Sequence, residues 1–476
     1  MDMDENILYK PPIPGNESEI GKEKSKGGPS PGELNFHESP PPSSPISIAK
    51  ILKVLLGIVV ILSVVFLVFG FFLPKLFDAL KSEKVEIVYW GVGLDKMDIG
   101  PIISDFESKY PEIKITYLSQ DIKQYRERIV ARIANKTGPD IFRFHNTWIP
   151  MLSTVLLPLP ENVITKEDFT KNFYQITKED LMRNGAIYGV PLEIDTLSLY
   201  INKDFFNALG ISAPTNWIDF ANYARELTVK DENNKIKTAG ASMGTANNID
   251  HASDIVSMLM VQNGVDLRNI SGDLPASADA LNFYTSFALP SGNVWDETLE
   301  TSLTAFANGS LAMYFGYARD YSLIKSINPN LSFEIHPVPT LPDRNQTIAS
   351  YWAEGISSKT KHQKESLIFL KYLTDKETQP KLFAQISKTA GIGKPYARVD
   401  LAENLKNNPN VYPFVSQAKN AVSSYFVDGT FDNGLNTKAT ASLNNAIDSI
   451  LRGGSPETAA ETFSSDFSKV LQEYYK

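Results

Sequence analysis

Glu193 and Asp195 stand two residues apart in the run IYGVPLEIDTLSLYINKDFF, from Ile187 to Phe206. Side chains of an extended chain alternate with period two, so both acids share a face with Leu197, Leu199 and Ile201. A face that begins with carboxylates and ends in aliphatic side chains fits a chain passing from a wet cleft into a packed core. It also fits an ion pair with an arginine such as Arg143. Paired acids serve glycoside hydrolysis when they flank the scissile bond from two sides. Two acids on one short stretch do not, so a hydrolase would need a further acid from elsewhere. Other catalytic patterns are missing. The five histidines (His37, His145, His251, His336, His362) show no helical ligand spacing, and neither HExxH nor GxSxG occurs. AGIGKP at 390–395 lacks the first glycine of a phosphate loop and reads as a turn. DENNK at 231–235 begins like a calcium loop but continues as a polar turn or hairpin. With no cysteine, disulfides, thiolate catalysis and Cys-based zinc sites are excluded. No catalytic residue, metal or cofactor is expected.

The elements that would position these acids alternate in type. VEIVYWGV reads as a strand, IGPIISDFESKY as a helix ended by Pro111, IKITYLSQ as a strand, QYRERIVARIA as a helix and GPDIFRFHN as a strand. This order predicts an α/β lobe with parallel strands and right-handed crossovers. The pattern restarts after Asp195 with TLSLYIN, WIDFANYARELT, DIVSMLMVQNG, LNFYTSFAL and the helix–turn–strand AFANGSLAMYF. The last 75 or so residues read as mainly helical, in PFVSQAKNAVSSYF, TASLNNAIDSILRGG and PETAAETFSSDFSKVLQEYY. Trp217 and Trp295 read as structural, Trp217 packing the first turn of its helix behind a capping Asn or Thr.

The whole chain has 476 residues, too many for one ordinary core. Its net charge of −9, without a Lys/Arg stripe, argues against nucleic acid as a partner. Residues 1–47 hold nine of the 29 prolines and read as a disordered tail. Val54–Leu73 then runs 20 residues without a charge, about 30 Å as a helix, which matches a bilayer core. A transmembrane helix over 48–74 and a linker over 75–84 are expected. A cleavable signal is the alternative, although 53 residues precede the run and no small-x-small site follows it. Lys50 and Lys53 on one side against Lys75, Lys81 and Lys84 on the other leave the orientation open.

The segment GAIYGVPLEIDTLSLYINKDFFNALGISAPTNWIDFANYARELT closely resembles a signature of extracellular solute-binding proteins of the maltose-binding-like family, which feed ABC importers. VEIVYWGVG with FESKYPEIKITY, TGPDIFRFHNTW, AFANGSLAMYFG, GISSKTKHQKESLIFLKYLTDKETQ and ILRGGSPETAAETF match in the same order, over about 85–476. The resemblance implies a two-lobed periplasmic-binding fold (type II, α/β), with solute held between lobes that close on it. Lobe 1 is expected at 85–194 and 353–400, and lobe 2 at 195–352 and 401–476. It implies a domain outside the cytoplasm, hence a cytoplasmic tail and a single-pass anchor in the cell membrane. Expected partners are a small polar solute, with carbohydrate favoured, and ABC permease subunits; the domain is expected to be monomeric. Usual members carry a cleaved signal or a lipid-modified Cys, so a retained helix leaves a signalling partner as the alternative, and a carbohydrate-active enzyme as a remoter one.

Open α/β lobes bind ligands at the carboxyl ends of their strands. In lobe 1 this selects Trp90, Gly91, Asp95 and Lys96, then Asn146, Thr147 and Trp148. The resemblance makes Asp95-Lys96 similar to an acid–base pair of sugar binders and puts Asp195 where a relative has a ligand-contacting acid, beside Glu193. Asn247 and Asn248 are expected from lobe 2, together with Tyr317 and Arg319. Trp352 and Glu354 lie near the second expected crossing. Core packing for Trp90 and Trp148, a solvated loop for Asp95 and Lys96, and an Arg143 ion pair for the crossing acids are the bland alternatives.

Overall fold

The computed structural model describes residues 47–73 and 84–475, with the Phe72 side chain excluded; the expected disordered tail lies outside these, save Ser47, and the expected linker lies outside save Lys84. The chain divides into two compact units, Met1–Lys81 and Ser82–Lys476. In the first, helix α1 covers Ile48–Leu67 and runs into a π-type turn, Val68–Phe72. Its span Ile48–Phe71, 24 residues with mean hydropathy 3.1, is long and apolar enough to cross a membrane.

The second unit begins with β1 (Val85–Gly91), α2 (Lys96–Lys109), β2 (Ile113–Ser119), α3 (Tyr125–Ala134) and β3 (Ile141–His145). Next come α4 (Gln175–Leu181) and β4 (Val190–Pro191). Beyond residue 197 lie β5 (Ser198–Asn202), β6 (Val229–Lys230), β7 (Ile236–Ala241), α5 (Ala252–Gln262), β8 (Leu311–Gly316), α6 (Ala318–Ile327) and β9 (Phe333–His336). The chain continues through β10 (Thr347–Ala349), β11 (Trp352–Ile356), α7 (Thr378–Ala390), β12 (Ala421–Ser423), α8 (Leu435–Leu451) and α9 (Pro456–Tyr474).

Two five-stranded sheets result, in the orders β2-β1-β3-β11-β4 and β9-β5-β8-β7-β6. In the first, β1 runs parallel to β2 and β3, as the β-α-β-α-β pattern predicts, while β11 lies antiparallel to β3 and β4. Each sheet carries its own core. One is built from Ile87 to Ile194 with Ala349 to Ile386, the other from Leu197 to Ile348 with most of the C-terminal helices. The cores change over between Ile194 and Leu197, between Ile348 and Ala349, and again after Ile386, where Ile392 and Tyr396 join the second core. The first two crossings lie side by side: Leu197 N–H donates to Ile348 O at 2.9 Å and Ser350 N–H to Asp195 O at 3.0 Å. A third strand of chain joins them, since Ile194 N–H donates to Pro395 O at 3.0 Å.

The regular strand starts only at Ser198, so Glu193 and Asp195 sit in bridged, irregular chain rather than in β5. PFVSQAKNAVSSYF also departs from its helical reading. A short helix, Tyr412–Ser416, is followed by a 3-10 turn and by β12, which pairs in parallel with β10 at the crossing. Tertiary pairing to an available edge overrides local helix preference there.

Candidate ligand-binding cleft

Along the crossing near residue 350, alternate side chains serve opposite faces. Ser350 and Trp352 line one cavity, whereas Tyr351 points the other way and donates its hydroxyl to Asp180 at 2.7 Å. The first cavity, of about 480 Å³, is lined from the first lobe by Val92, Gly93, Gln120 and Ile122, and from the second by Tyr317, Arg319, Gly429 and Phe431. Glu193, Asp195, Lys394 and Pro395 form its floor with the crossing chains. It therefore lies between the lobes.

The floor is charged in a definite way. Arg143, fully buried on β3, donates to Glu193 and stands 3.7 Å from Glu354. Lys394 Nζ reaches Glu193 at 3.1 Å and the Gly93 carbonyl at 2.7 Å. Burial opposes the Glu193 charge, but Arg143 and Lys394 outweigh it and hold the carboxyl below its usual range. Asp195 has no cation in ion-pair contact, and Arg319 opposes its burial only weakly. Both of its oxygens accept the Ala318 N–H at 3.0 Å, at the first turn of α6. Burial nevertheless pushes this carboxyl up to about 8, the Ala318 bond opposing and the Asp320 and Glu193 charges adding. Near neutral pH the floor thus offers one ionised acid locked to two cations and one protonated acid able to donate.

Among the polar contacts between the lobes are two beside the cleft. Arg126 Nε on α3 donates to Asp432 O at 2.6 Å, and Thr147 Oγ1 donates to Asn436 Oδ1 at 2.9 Å. Thr147 Oγ1 lies 2.8 Å from His145 Nδ1, and His145 Nε2 lies 3.0 Å from Ser350 Oγ. Burial lowers the His145 pKa to about 3, so the ring is neutral and relays a hydrogen-bond chain from Ser350 to Asn436. Its edge also packs against Trp352, ring centroids 5.3 Å apart, which fixes the indole at the cavity wall. The opposite wall carries Phe431, 51% exposed and held at φ 47°. A bulky residue with left-handed φ is strained, a feature that clusters at ligand clamps.

A model of the bacterial extracellular solute-binding protein family matches residues 99–380. The chain belongs to that family. Among curated relatives, a multiple sugar-binding protein of Streptococcus mutans is 24% identical over 319 residues, 64% of this chain and 74% of its own length. An arabinooligosaccharide-binding protein of Bacillus subtilis is 24% identical over 194 residues, 38% of this chain and 42% of its own. Among solved structures, a cyclo/maltodextrin-binding protein complexed with maltotetraose aligns with TM-score 0.66 at 17% identity, covering 82% of this chain and 98% of that one. An ABC transporter solute-binding protein of Thermotoga lettingae bound with α-D-tagatose aligns with TM-score 0.64 at 19% identity, covering 82% and 100%. These structural likenesses carry the fold.

In this solute-binding protein the cavity brings together Glu193, Asp195, Tyr317, Arg319 and Trp352 of the residues singled out from sequence. The others stand elsewhere. Glu354 is fully buried behind the floor and accepts from Tyr89 at 3.1 Å. Trp148 is core, edge-to-face with Trp352 at 5.3 Å. Trp90 is half-buried against the first core, its carbonyl accepting from Tyr125. At Gly91 an added Cβ would collide with the Tyr117 ring, so its place in β1 answers a close approach. Asp95 and Lys96 are exposed at the start of α2, where Asp95 and Asp98 form a capping box. Asn247 reaches Glu297, and Asn248 ties Trp295 to the 296–299 turn. Asn146 and Thr147 line a second cavity, of about 340 Å³, on the Tyr351 side with Asp180, Arg183, Arg268 and Tyr475. Lys394 and Phe431 escaped the sequence reading. Lys394 belongs to a segment legible only as a turn, and Phe431 to DGTFDNG, whose Gly and Asn signal a turn without showing what it faces.

Proposed function

We propose that the protein captures a small polar solute, a sugar or short oligosaccharide, between its lobes and delivers it to an ABC importer. The domain works outside the cytoplasm, held at the cell membrane by α1, which keeps it near its importer and raises the effective concentration. The observation that carries this reading is the composition of the cleft. Trp352 and Phe431 supply apolar rings from opposite lobes, while Asp195, Glu193, Arg319 and Lys394 supply donors and acceptors between them. Rings suit the C–H faces of a sugar, and each unmatched hydroxyl partner costs about 1–3 kcal/mol. A micromolar dissociation constant needs only about −8 kcal/mol, so a few such contacts suffice. The names of the relatives point to the same ligand class.

Binding and closure are one process. Solute touching both walls favours the closed form by its differential affinity for the two states, and the importer recognises that form. No bond is broken: Glu193 is held ionised by two cations, and Asp195 lies along the same stretch of chain. The test is calorimetric titration of the full chain in detergent with mono- and oligosaccharides, followed by recovery of the solute. Saturable binding with unchanged solute is expected. Turnover, or no heat with any saccharide, would overturn the reading.

A further inference from the structure

Beneath the second-lobe wall of the cleft, His251, Asp254 and Asp428 each offer a ligand atom, and these atoms lie within 4.8 Å of one another. We propose that this group is a binding site for a divalent first-row transition-metal ion, Zn²⁺ or Mn²⁺, that braces the second-lobe wall of the cleft. His251 sits at φ 63° immediately before α5, with Asp254 in the first turn of that helix. Asp428 arrives from the distant loop ahead of α8, which is why histidine spacing along the sequence does not reveal the group.

The donor set has the organisation of a metal site. His251 Nε2 meets Asp320 Oδ2 at 2.9 Å, which orients the ring and leaves Nδ1 facing Asp428 Oδ1 at 3.0 Å. A carboxylate on the far nitrogen is the usual support of a metal-bound imidazole. Asp320 is itself fixed by Tyr314 OH at 3.1 Å and by the Tyr317 N–H at 2.9 Å. Asp428 Oδ2 is held by the His251 N–H at 3.0 Å, so its other oxygen is aimed.

Asp254 supplies the independent observation. The residue is fully buried, its Oδ1 accepts Tyr317 OH at 2.8 Å, and its Oδ2 has no hydrogen-bond partner. An unpartnered buried carboxylate oxygen is costly, and a cation satisfies it. One imidazole nitrogen with two carboxylate oxygens suits Zn²⁺ or Mn²⁺ and leaves positions open for water. An imidazolium bridging Asp320 and Asp428 without metal would leave Asp254 Oδ2 unmatched.

Asp428 directly precedes Gly429, and Gly429, Phe431, Tyr317 and Arg319 line the solute cavity. A bound ion would therefore fix the loop that carries Phe431. The full chain, purified in detergent and stripped with EDTA, is incubated with Zn²⁺ or Mn²⁺ alone, with no saccharide present, and bound metal is counted after desalting. About one equivalent and a melting temperature raised by a few degrees are expected. Asp254→Asn and Asp428→Asn, the latter at the more exposed position, should each lose both effects. His336→Gln, at a surface histidine paired with Glu334, should keep them. No retained metal, equal retention in both aspartate variants, or loss on replacing His336 would overturn the proposal.

Discussion

Asp195 and Glu193 are neighbours with opposite electrostatic fates, because Glu193 pairs with Arg143 and Lys394 while Asp195 accepts a helix amide and feels Arg319 without an ion-pair contact. A carboxyl raised in the folded state binds a proton that the unfolded chain has released. Its contribution to stability is therefore fully present below the unfolded value near 4 and falls as pH rises towards about 8. Wild type should lose stability relative to Asp195→Asn across that window, as read by denaturant unfolding at stepped pH; a constant difference would contradict the assignment. Arg143→Ala leaves Glu193 and Glu354 buried without their shared cation, and a loss of about 3–5 kcal/mol is expected in the same assay. Trp352→Ala and Phe431→Ala should weaken saccharide binding by roughly 10- to 100-fold in calorimetry, the equivalent of about 1–3 kcal/mol, with stability little changed for the exposed Phe431. The period-two spacing of the acids was legible in the sequence, and so was Arg143 as a partner for one of them. Which acid that cation would choose was not, since Lys394 enters from a turn some 200 residues away.

At the scale of elements, individual polar contacts between the lobes bias the balance of open and closed forms. Arg126→Ala removes the bond to Asp432 O, and Thr147→Val removes the end of the His145 relay. Each should favour the open form, lowering saccharide affinity several-fold and enlarging the radius of gyration of the solute-free protein in small-angle scattering. Unchanged scattering in both variants would show that these contacts do not hold the lobes. Strands such as β1, β2 and β3 were readable from alternation because each lies in a sheet with one expected partner pattern. The helical reading of PFVSQAKNAVSSYF failed where β12 completes a parallel pair with β10, a partner more than 70 residues earlier. Asp95, Lys96, Asn247 and Asn248 show the same limit. Their polarity marks loops at strand ends, yet in this structure Asp95 caps α2, Lys96 is exposed, and Asn247 and Asn248 bond to Glu297 and to the 296–299 turn, away from the cavity.

At the scale of the molecule, family membership and two cores joined by crossing chains describe a solute-binding protein, and α1 adds a helix of membrane-spanning length. The order of signature segments makes the fold readable in the sequence, whereas the site depends on which loop faces which. Deleting residues 1–73 should release the protein from the membrane fraction while leaving saccharide binding intact; continued membrane association would contradict the anchor. The central claim is that solute is held from both lobes at the crossing. Hydrogen–deuterium exchange of the full chain, with and without a bound saccharide, tests it most directly. The account predicts added protection together at 92–94, 193–195, 317–319, 350–352 and 428–431. Protection confined to one lobe, or centred on the second cavity around Asp180, Arg183 and Tyr475, would contradict it.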